Sequence, residues 1–282
     1  MNGGRVNAVL PAAFAGLGLD RPRLVGVVNV TPDSFSDGGR FLDPAAAVDQ
    51  GRRLVGEGAD MLDIGGESTR PGAAETQAEE QIRRVLPVIE GLADCGAPLS
   101  IDTRSAVVMK ATVAAGASVV NDISALAYDP GALDTVAALG CPVILMHMRG
   151  DPATMREKPH YDDVVGEVTA ELADRIAACE GAGVLRSNIC VDPGLGFAKA
   201  SAHNEAVLRG LADFHTLGCP VMIGASRKGL VRDVKRSAAP GERLAASLAA
   251  ALIAAEAGVQ FLRVHDVAET AQALAVWRAV RG

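Results

Sequence analysis

Asp63-Ile64-Gly65-Gly66-Glu67-Ser68-Thr69-Arg70-Pro71-Gly72 follows directly on the apolar pair Met61-Leu62. A strand-like run ends there, and polar, glycine-rich and cationic residues follow with neither helical nor alternating pattern, as in a loop carried on a rigid scaffold. Thr69 and Arg70 put a hydroxyl beside a planar guanidinium, a pair suited to phosphate or carboxylate oxygens, and Pro71-Gly72 shapes a turn. Standing alone, the segment would read as a surface loop with a solvated arginine.

It does not stand alone, because the same transition recurs along the chain. Short apolar or β-branched runs occupy residues 24–30, 61–64, 99–101, 119–120, 143–146, 189–191, 221–223 and 261–264. Between them lie stretches with apolar residues at helical spacing, such as Ile82, Val85, Leu86 and Ile89, or Val165, Val168, Leu172 and Ile176. Asp43-Pro44 supplies a capping carboxylate and a first-turn proline to the helix after the first strand. About eight strand–helix units in one chain is the unit number of an α/β fold of the TIM-barrel, (β/α)8 type. A doubly wound sheet is the alternative. Without a linker or a break in composition, residues 24–282 read as a single barrel domain. Residues 1–23 are an N-terminal segment expected to cover its bottom.

Composition narrows the class. At 282 residues and 49% hydrophobic content the chain is long enough to bury a core without staples. No apolar run is long enough to span a bilayer, and nothing at the N-terminus has the regions of a signal peptide, so the cytoplasm is the expected compartment. Five scattered cysteines without CxxC spacing read as reduced thiols. The formal net charge of −7 argues against bulk nucleic-acid binding, so any anionic ligand must be held by a local cluster of donors.

Barrel enzymes place their chemistry at the C-terminal ends of the strands, and here those ends are loaded with polar residues: Asn29, residues 63–70, Asp102, Asn121, His147, Asp192, Ser226-Arg227-Lys228 and Arg263-Val264-His265. Singly, each has a bland reading, as a cap, a turn residue or a satisfied core amide. Caps alone would not need carboxylate, amide, carboxylate and lysine at one face. Asp102, Asn121 and Asp192, with Lys228, suit a flat heterocycle carrying ring N–H and amino groups. Asn29, Thr69, Arg70, Arg263 and His265 form a donor-rich set suited to an anion such as diphosphate with Mg²⁺.

Together the motifs carry a family resemblance. Val28-Asn29-Val30-Thr31-Pro32-Asp33-Ser34-Phe35-Ser36-Asp37-Gly38-Gly39, residues 65–72, Ser100-Ile101-Asp102-Thr103, Val120-Asn121-Asp122-Ile123, Leu145-Met146-His147-Met148, Asp192-Pro193-Gly194-Leu195-Gly196-Phe197, Gly224-Ala225-Ser226-Arg227-Lys228 and Arg263-Val264-His265-Asp266 resemble dihydropteroate synthase, in the family's order and from about residue 24 to the C-terminal helix. The resemblance implies condensation of 6-hydroxymethyl-7,8-dihydropterin diphosphate with 4-aminobenzoate to 7,8-dihydropteroate in folate synthesis. By position it implies that Asp102, Asn121, Asp192 and Lys228 hold the pterin, with Met146 and Phe197 lining the pocket. Asn29 would meet diphosphate-bound Mg²⁺, and Thr69, Arg70, Arg263 and His265 the diphosphate. Two loops, residues 31–40 and 65–74, would close to form the aminobenzoate pocket with Phe35, Thr69, Pro71, Phe197 and Lys228. Catalysis would fall to Asp102, Asp192, Lys228, Arg263 and His265, with the leaving charge spread over Mg²⁺, Arg263 and His265 and no covalent nucleophile.

One position departs from the family. Many members have serine after Ser-Arg-Lys where this chain has Gly229; if that hydroxyl helps bind the aminobenzoate carboxylate, this chain must use the Gly229 backbone N–H at a helix start or lose affinity. The helix expected over residues 242–257 is apolar on both sides, which on the outside of a barrel suggests a subunit interface and a homodimer, as in related enzymes. Two rivals share the pterin contacts: the corrinoid-dependent methyltransferase barrel, which has no need of the anion-binding set, and a non-catalytic paralogue.

Overall fold

The apolar runs become strands because both of their faces are covered, as an all-parallel sheet requires. The computed structural model describes residues 10–31, 43–70, 72–155, 160–230 and 239–281. Its main strands are β3 (Arg23–Asn29), β4 (Met61–Gly65), β5 (Leu99–Asp102), β6 (Val119–Asp122), β7 (Val143–Met146), β8 (Ile189–Asp192), β9 (Met222–Ile223) and β10 (Phe261–Val264). All pair in parallel, in the order β8-β7-β6-β5-β4-β3-β10-β9. A further parallel bridge, Val191 to Val221, joins the two ends of that order. The sheet therefore closes on itself as a (β/α)8 barrel, and the doubly wound alternative falls.

Helices follow the strands on the outside: α1 (Pro44–Gly56), α2 (Ala78–Leu92), α3 (Ala106–Ala114), α4 (Ala132–Leu139), α5 (Val164–Gly181), α6 (Ser201–Arg209), α7 (Leu244–Glu256) and α8 (Val267–Arg281). Asp43 caps α1 by accepting from the Ala45 N–H at 2.9 Å, with Pro44 in the first turn, as its sequence predicts. The large apolar cluster between barrel and helices takes the outward strand residues, such as Leu62, Ile64, Ile101 and Val120, together with Val85, Ile89 and Leu172 from the helices.

Inside the barrel the alternation of strand side chains produces a vertical division. At the N-terminal end of the strands, Val25, Met61, Val119, Ile144, Cys190, Met222 and Phe261 form a separate apolar cluster. The segment before the barrel is a small antiparallel hairpin, β1 (Ala13–Phe14) with β2 (Leu17–Gly18). Its Phe14 joins that cluster, with the ring edge-on to Phe261 at a centroid distance of 5.4 Å. Two residues further along several strands the inward position turns polar, as in Asp63 after Met61, Asn121 after Val119, Asp192 after Cys190 and Arg263 after Phe261. Strands extend one or two residues past their apolar runs because the ladder continues through these polar ends, with Gly65 paired to Asp102 and Asp102 to Asn121.

Phe14 is 1% exposed. Phe14→Ala should destabilise the fold by about 3 kcal/mol, read as a lower urea midpoint, and leave turnover nearly unchanged, because the site lies at the opposite end of the barrel. A loss below about 1 kcal/mol would show that the hairpin adds little to barrel packing.

Candidate active site

The ladder register assembles the mouth of the barrel. Asn29 pairs with Gly65, Gly65 with Asp102, and Asp102 with Asn121, while Met146 pairs with Asp192 further round. Arg263 enters from β10. These side chains stand at the carboxyl ends of the strands, where barrel enzymes build their sites.

Arg263 ties the mouth together. Its Nε donates to Asp63 Oδ2 at 2.6 Å and its Nη2 to Asp102 Oδ2 at 2.9 Å. Asp63 Oδ2 also accepts from Asn121 Nδ2 at 3.1 Å. A carboxylate only accepts, so Asp63 determines that the Asn121 amide turns its NH₂ inward and leaves its carbonyl oxygen for something else. Asn121 Oδ1 and Asp63 Oδ1 are both buried without a partner among the described residues. Buried acceptors left in that state are costly, and a ligand rich in N–H donors would relieve both.

The charges perturb one another. Burial first, then the neighbouring Asp63, raises the Asp102 carboxyl to about 7, against the pull of Arg263. Burial likewise raises Asp192, opposed mainly by Lys228. Lys228 is lowered to about 8 by burial, opposed by Asp192. Acid and amine poised close to neutrality in one concavity are what proton-sensitive binding or catalysis requires.

Lys228 reaches the mouth because the turn before it is forced. Arg227 adopts a left-handed conformation (φ 59°), which costs a side-chain-bearing residue about 1–2 kcal/mol. Its N–H donates to Ser247 Oγ at 2.9 Å, its carbonyl accepts from Arg243 at 3.1 Å, and its guanidinium pairs with Asp266. Lys228 Nζ then donates to the Leu195 carbonyl at 2.7 Å and lies 4.6 Å from the centre of the Phe197 ring. Asp266 is thus engaged by Arg227, and Arg263 faces the barrel interior.

His265 stands beside this turn. Its backbone N–H donates to Ser226 Oγ at 3.2 Å, and its Nδ1 lies 3.1 Å from the same oxygen. Burial, then Arg263 and Arg227, push it down to about 3, so the imidazole is neutral near pH 7. Beside two guanidiniums it is placed to offer a hydrogen bond rather than a further positive charge.

Of the remaining expected residues, Met146 and Phe197 share a small buried cluster with Ile123 and Met155 beside the mouth. Asn29 ends β3 half-buried, Thr69 is half-buried and Arg70 is exposed. Gly229 lies in irregular backbone between Lys228 and Leu230. Phe35 and Pro71, and most of the loop expected over residues 31–40, lie outside the described residues.

Two features were not expected from the sequence as parts of the site. Asp63 was grouped with residues 63–70 at a strand end and given no role, yet it holds both Arg263 and Asn121. The available signal was an inward-facing aspartate in the middle of an apolar strand. The second is a buried pair in which Arg104 Nη2 donates to Glu67 Oε1 at 2.9 Å. Glu67 also accepts from the Thr76 N–H at 3.2 Å, and Arg104 lies 3.9 Å from the centre of the Tyr128 ring. This pair anchors the loop that carries Thr69 and Arg70. His147, by contrast, is a tied residue of the wall, with Nε2 2.9 Å from Glu171 Oε2 and Nδ1 2.9 Å from Lys199 Nζ.

Comparisons with known proteins agree with one another. A family model described as pterin binding enzyme matches residues 25–265. The dihydropteroate synthase of Escherichia coli strain K12 is 45% identical over 264 residues, 93% of each chain. The structure of Xanthomonas albilineans dihydropteroate synthase with 4-aminobenzoic acid is 53% identical, covers 94% of this chain and 95% of that one, and has a TM-score of 0.88. A structure of dihydropteroate synthase from the same organism with 7,8-dihydropteroate is 50% identical, covers 94% and 96%, and has a TM-score of 0.85.

Asp63→Asn removes a like charge from beside Asp102, so the Asp102 titration should move below its value of about 7. Carboxyl ¹³C shifts of aspartate-labelled protein, assigned against Asp102→Asn, would measure it. A titration that stays in place or rises would show that Asp63 does not govern the charge of the mouth.

Proposed function

From the premise that this chain belongs to the pterin-binding enzyme family, as one of its dihydropteroate synthases, we propose how its residues carry out the reaction. The enzyme is a transferase of folate biosynthesis that joins 6-hydroxymethyl-7,8-dihydropterin diphosphate to 4-aminobenzoate and gives 7,8-dihydropteroate. The methyl-transfer rival gives way, since the full-length relatives are named as synthases.

The observation that carries the mechanism is the acceptor-rich mouth with its partnerless Asn121 and Asp63 oxygens. A dihydropterin presents an amino group and ring N–H groups on its edge, and Asp102, Asn121 and Asp192 accept from them. Lys228 donates to the ring's carbonyl or nitrogen acceptors, while Met146 and Phe197 cover its flat faces. Breaking the C–O bond sends the electron pair out with diphosphate and leaves a methylene cation conjugated with the ring. The carboxylates Asp102 and Asp192 stabilise that cation electrostatically. The arylamine nitrogen then forms the new C–N bond and releases its proton to the departed diphosphate or to water.

Diphosphate is held by Arg263, by His265 as a neutral hydrogen-bonding group, and by Thr69 and Arg70 of the loop anchored through Glu67 and Arg104. The aminobenzoate takes the outer pocket, with Phe35, Pro71, Phe197 and Lys228 around it and the Gly229 N–H in place of a serine hydroxyl. Asn29 would hold Mg²⁺. Its single amide oxygen suits an ion that keeps most of its shell from water and phosphate, and no group of three or more His, Cys, Asp or Glu residues forms a protein cage among the described residues. When bound, Mg²⁺ neutralises charge on the leaving group.

We further propose a cytoplasmic homodimer. All five cysteines are free thiols, and no described helix is long and apolar enough to cross a membrane. Ile253 on α7 and Val276 and Val280 on α8 are exposed at 49%, 63% and 79%, an apolar surface on the last two helices that a second copy would cover.

Lys228→Ala and Arg263→Ala should each lower kcat/KM for diphosphate release by about 100-fold while the proteins stay folded. Variants that keep most of their turnover would refute the assigned roles. In the unaltered enzyme, kcat/KM should fall below about pH 7 as Asp102 gains its proton and above about pH 8 as Lys228 loses its own. By light scattering the chain should have twice its monomer mass, and Ile253→Asp with Val280→Glu should halve it; a monomer mass at micromolar concentration would exclude the dimer.

A further inference from the structure

The backbone after β8 is wound tightly. Gly194 (φ 70°), Gly196 (φ 81°) and Ala198 (φ 47°) all take left-handed conformations, and for alanine that region is sterically costly. At Gly194 any Cβ would lie 2.0 Å from the His147 carbonyl oxygen, so this loop presses directly on the end of β7. Such a loop keeps its shape only if it is pinned. Asp192 Oδ1 accepts the Gly194 N–H at 2.7 Å, Asn204 Oδ1 accepts the Gly196 N–H at 2.8 Å, and Lys228 holds the Leu195 carbonyl from the side of the site.

The Phe197 carbonyl is held from the other side. Lys199 Nζ donates to it at 3.2 Å and lies 2.9 Å from His147 Nδ1. Lys199 is buried and has no carboxylate at its tip among the described residues. Burial lowers it to about 7, opposed at a distance by Asp192 and by Glu171, whose Oε2 is 2.9 Å from the far nitrogen Nε2 of the same imidazole. Burial and Lys199 itself push His147 down to about 4, so the ring is neutral and accepts from the lysine. Burying an amine is costlier than burying an apolar chain of the same length, so filling volume does not account for a lysine here. The head group is what the position uses.

We infer that Lys199 is a positioning residue for the condensation: by fastening the Phe197 carbonyl to the His147–Glu171 pair, it sets the Phe197 ring that walls the aminobenzoate pocket. It need touch neither substrate. The two lysines act on adjacent stretches of one loop, Lys228 from within the mouth and Lys199 from within the wall. The inference rests on the placement of Phe197 in the arylamine site proposed above.

Steady-state kinetics on Lys199→Met, Lys199→Gln and Phe197→Ala, varying 4-aminobenzoate and dihydropterin diphosphate in turn, test it. Lys199→Met should raise KM for 4-aminobenzoate about tenfold and change kcat and the other KM by less than about threefold. Lys199→Gln keeps a donor on a shorter stem and should fall between, and it carries the test if the methionine variant does not fold. If both lysine variants keep the normal KM for 4-aminobenzoate while Phe197→Ala raises it, the inference is overturned and the site reading stands. If Phe197→Ala itself leaves that KM unchanged, the placement of Phe197 fails and the inference with it. A lower Tm with both KM values unmoved marks a purely structural lysine and also overturns it.

Discussion

The ion cluster in which Arg263 bridges Asp63 and Asp102 is the constraint on which the rest of the mouth depends. Three charged groups share a space from which water is largely excluded, where separate ions would be costly to bury and removing one partner typically costs about 3–5 kcal/mol. Two consequences reach the chemistry. Asp63 turns the Asn121 amide so that its oxygen is left for a donor-rich ring, and it adds to burial in raising the Asp102 carboxyl toward neutrality. One residue that faces no solvent thus sets the hydrogen-bonding sense of the pocket and contributes to its charge.

A barrel interior that holds such a cluster must find its stability elsewhere. The lower part supplies it, where a layer of aliphatic and aromatic side chains is closed from beneath by Phe14, and the outer shell between strands and helices supplies more. Stability and function are therefore separated along the barrel axis, two residues apart on the same strands. The period-two alternation makes this possible, since Met61 and Asp63, or Phe261 and Arg263, point inward at different heights. A substitution in the lower layer should act on unfolding, and one in the upper layer on the reaction.

The loops at the mouth are shaped by strain that other side chains hold in place. Arg227 and Ala198 both sit in left-handed backbone, and each stands next to a lysine of the site or its wall. Ser247, Arg243 and Asp266 secure the first turn, and Asn204 and Lys199 the second. The loop with Thr69 and Arg70 is anchored by the buried Glu67–Arg104 pair. In each case a residue at the mouth is placed by one behind it.

Much of this was legible in the amino-acid sequence. Eight apolar runs alternating with helical spacing point to a (β/α)8 barrel, and polar residues at the run ends mark one face of it, because strand and helix periods are local properties of the chain; closure of the sheet, through the Val191–Val221 bridge, is what removed the doubly wound alternative. The convergence of Asp102, Asn121, Asp192 and Arg263 on one face of the barrel followed in the same way, since strand ends converge in any barrel. What only the tertiary structure decided concerns partners distant in sequence. Asp63 and Arg263 are 200 residues apart, and Lys199 and His147 are 52 apart. No local pattern records those distances, so the crowding of His265 by two guanidiniums, the orientation of Asn121 and the fastening of the Phe197 loop emerge only when closure of the barrel brings buried groups within range of one another.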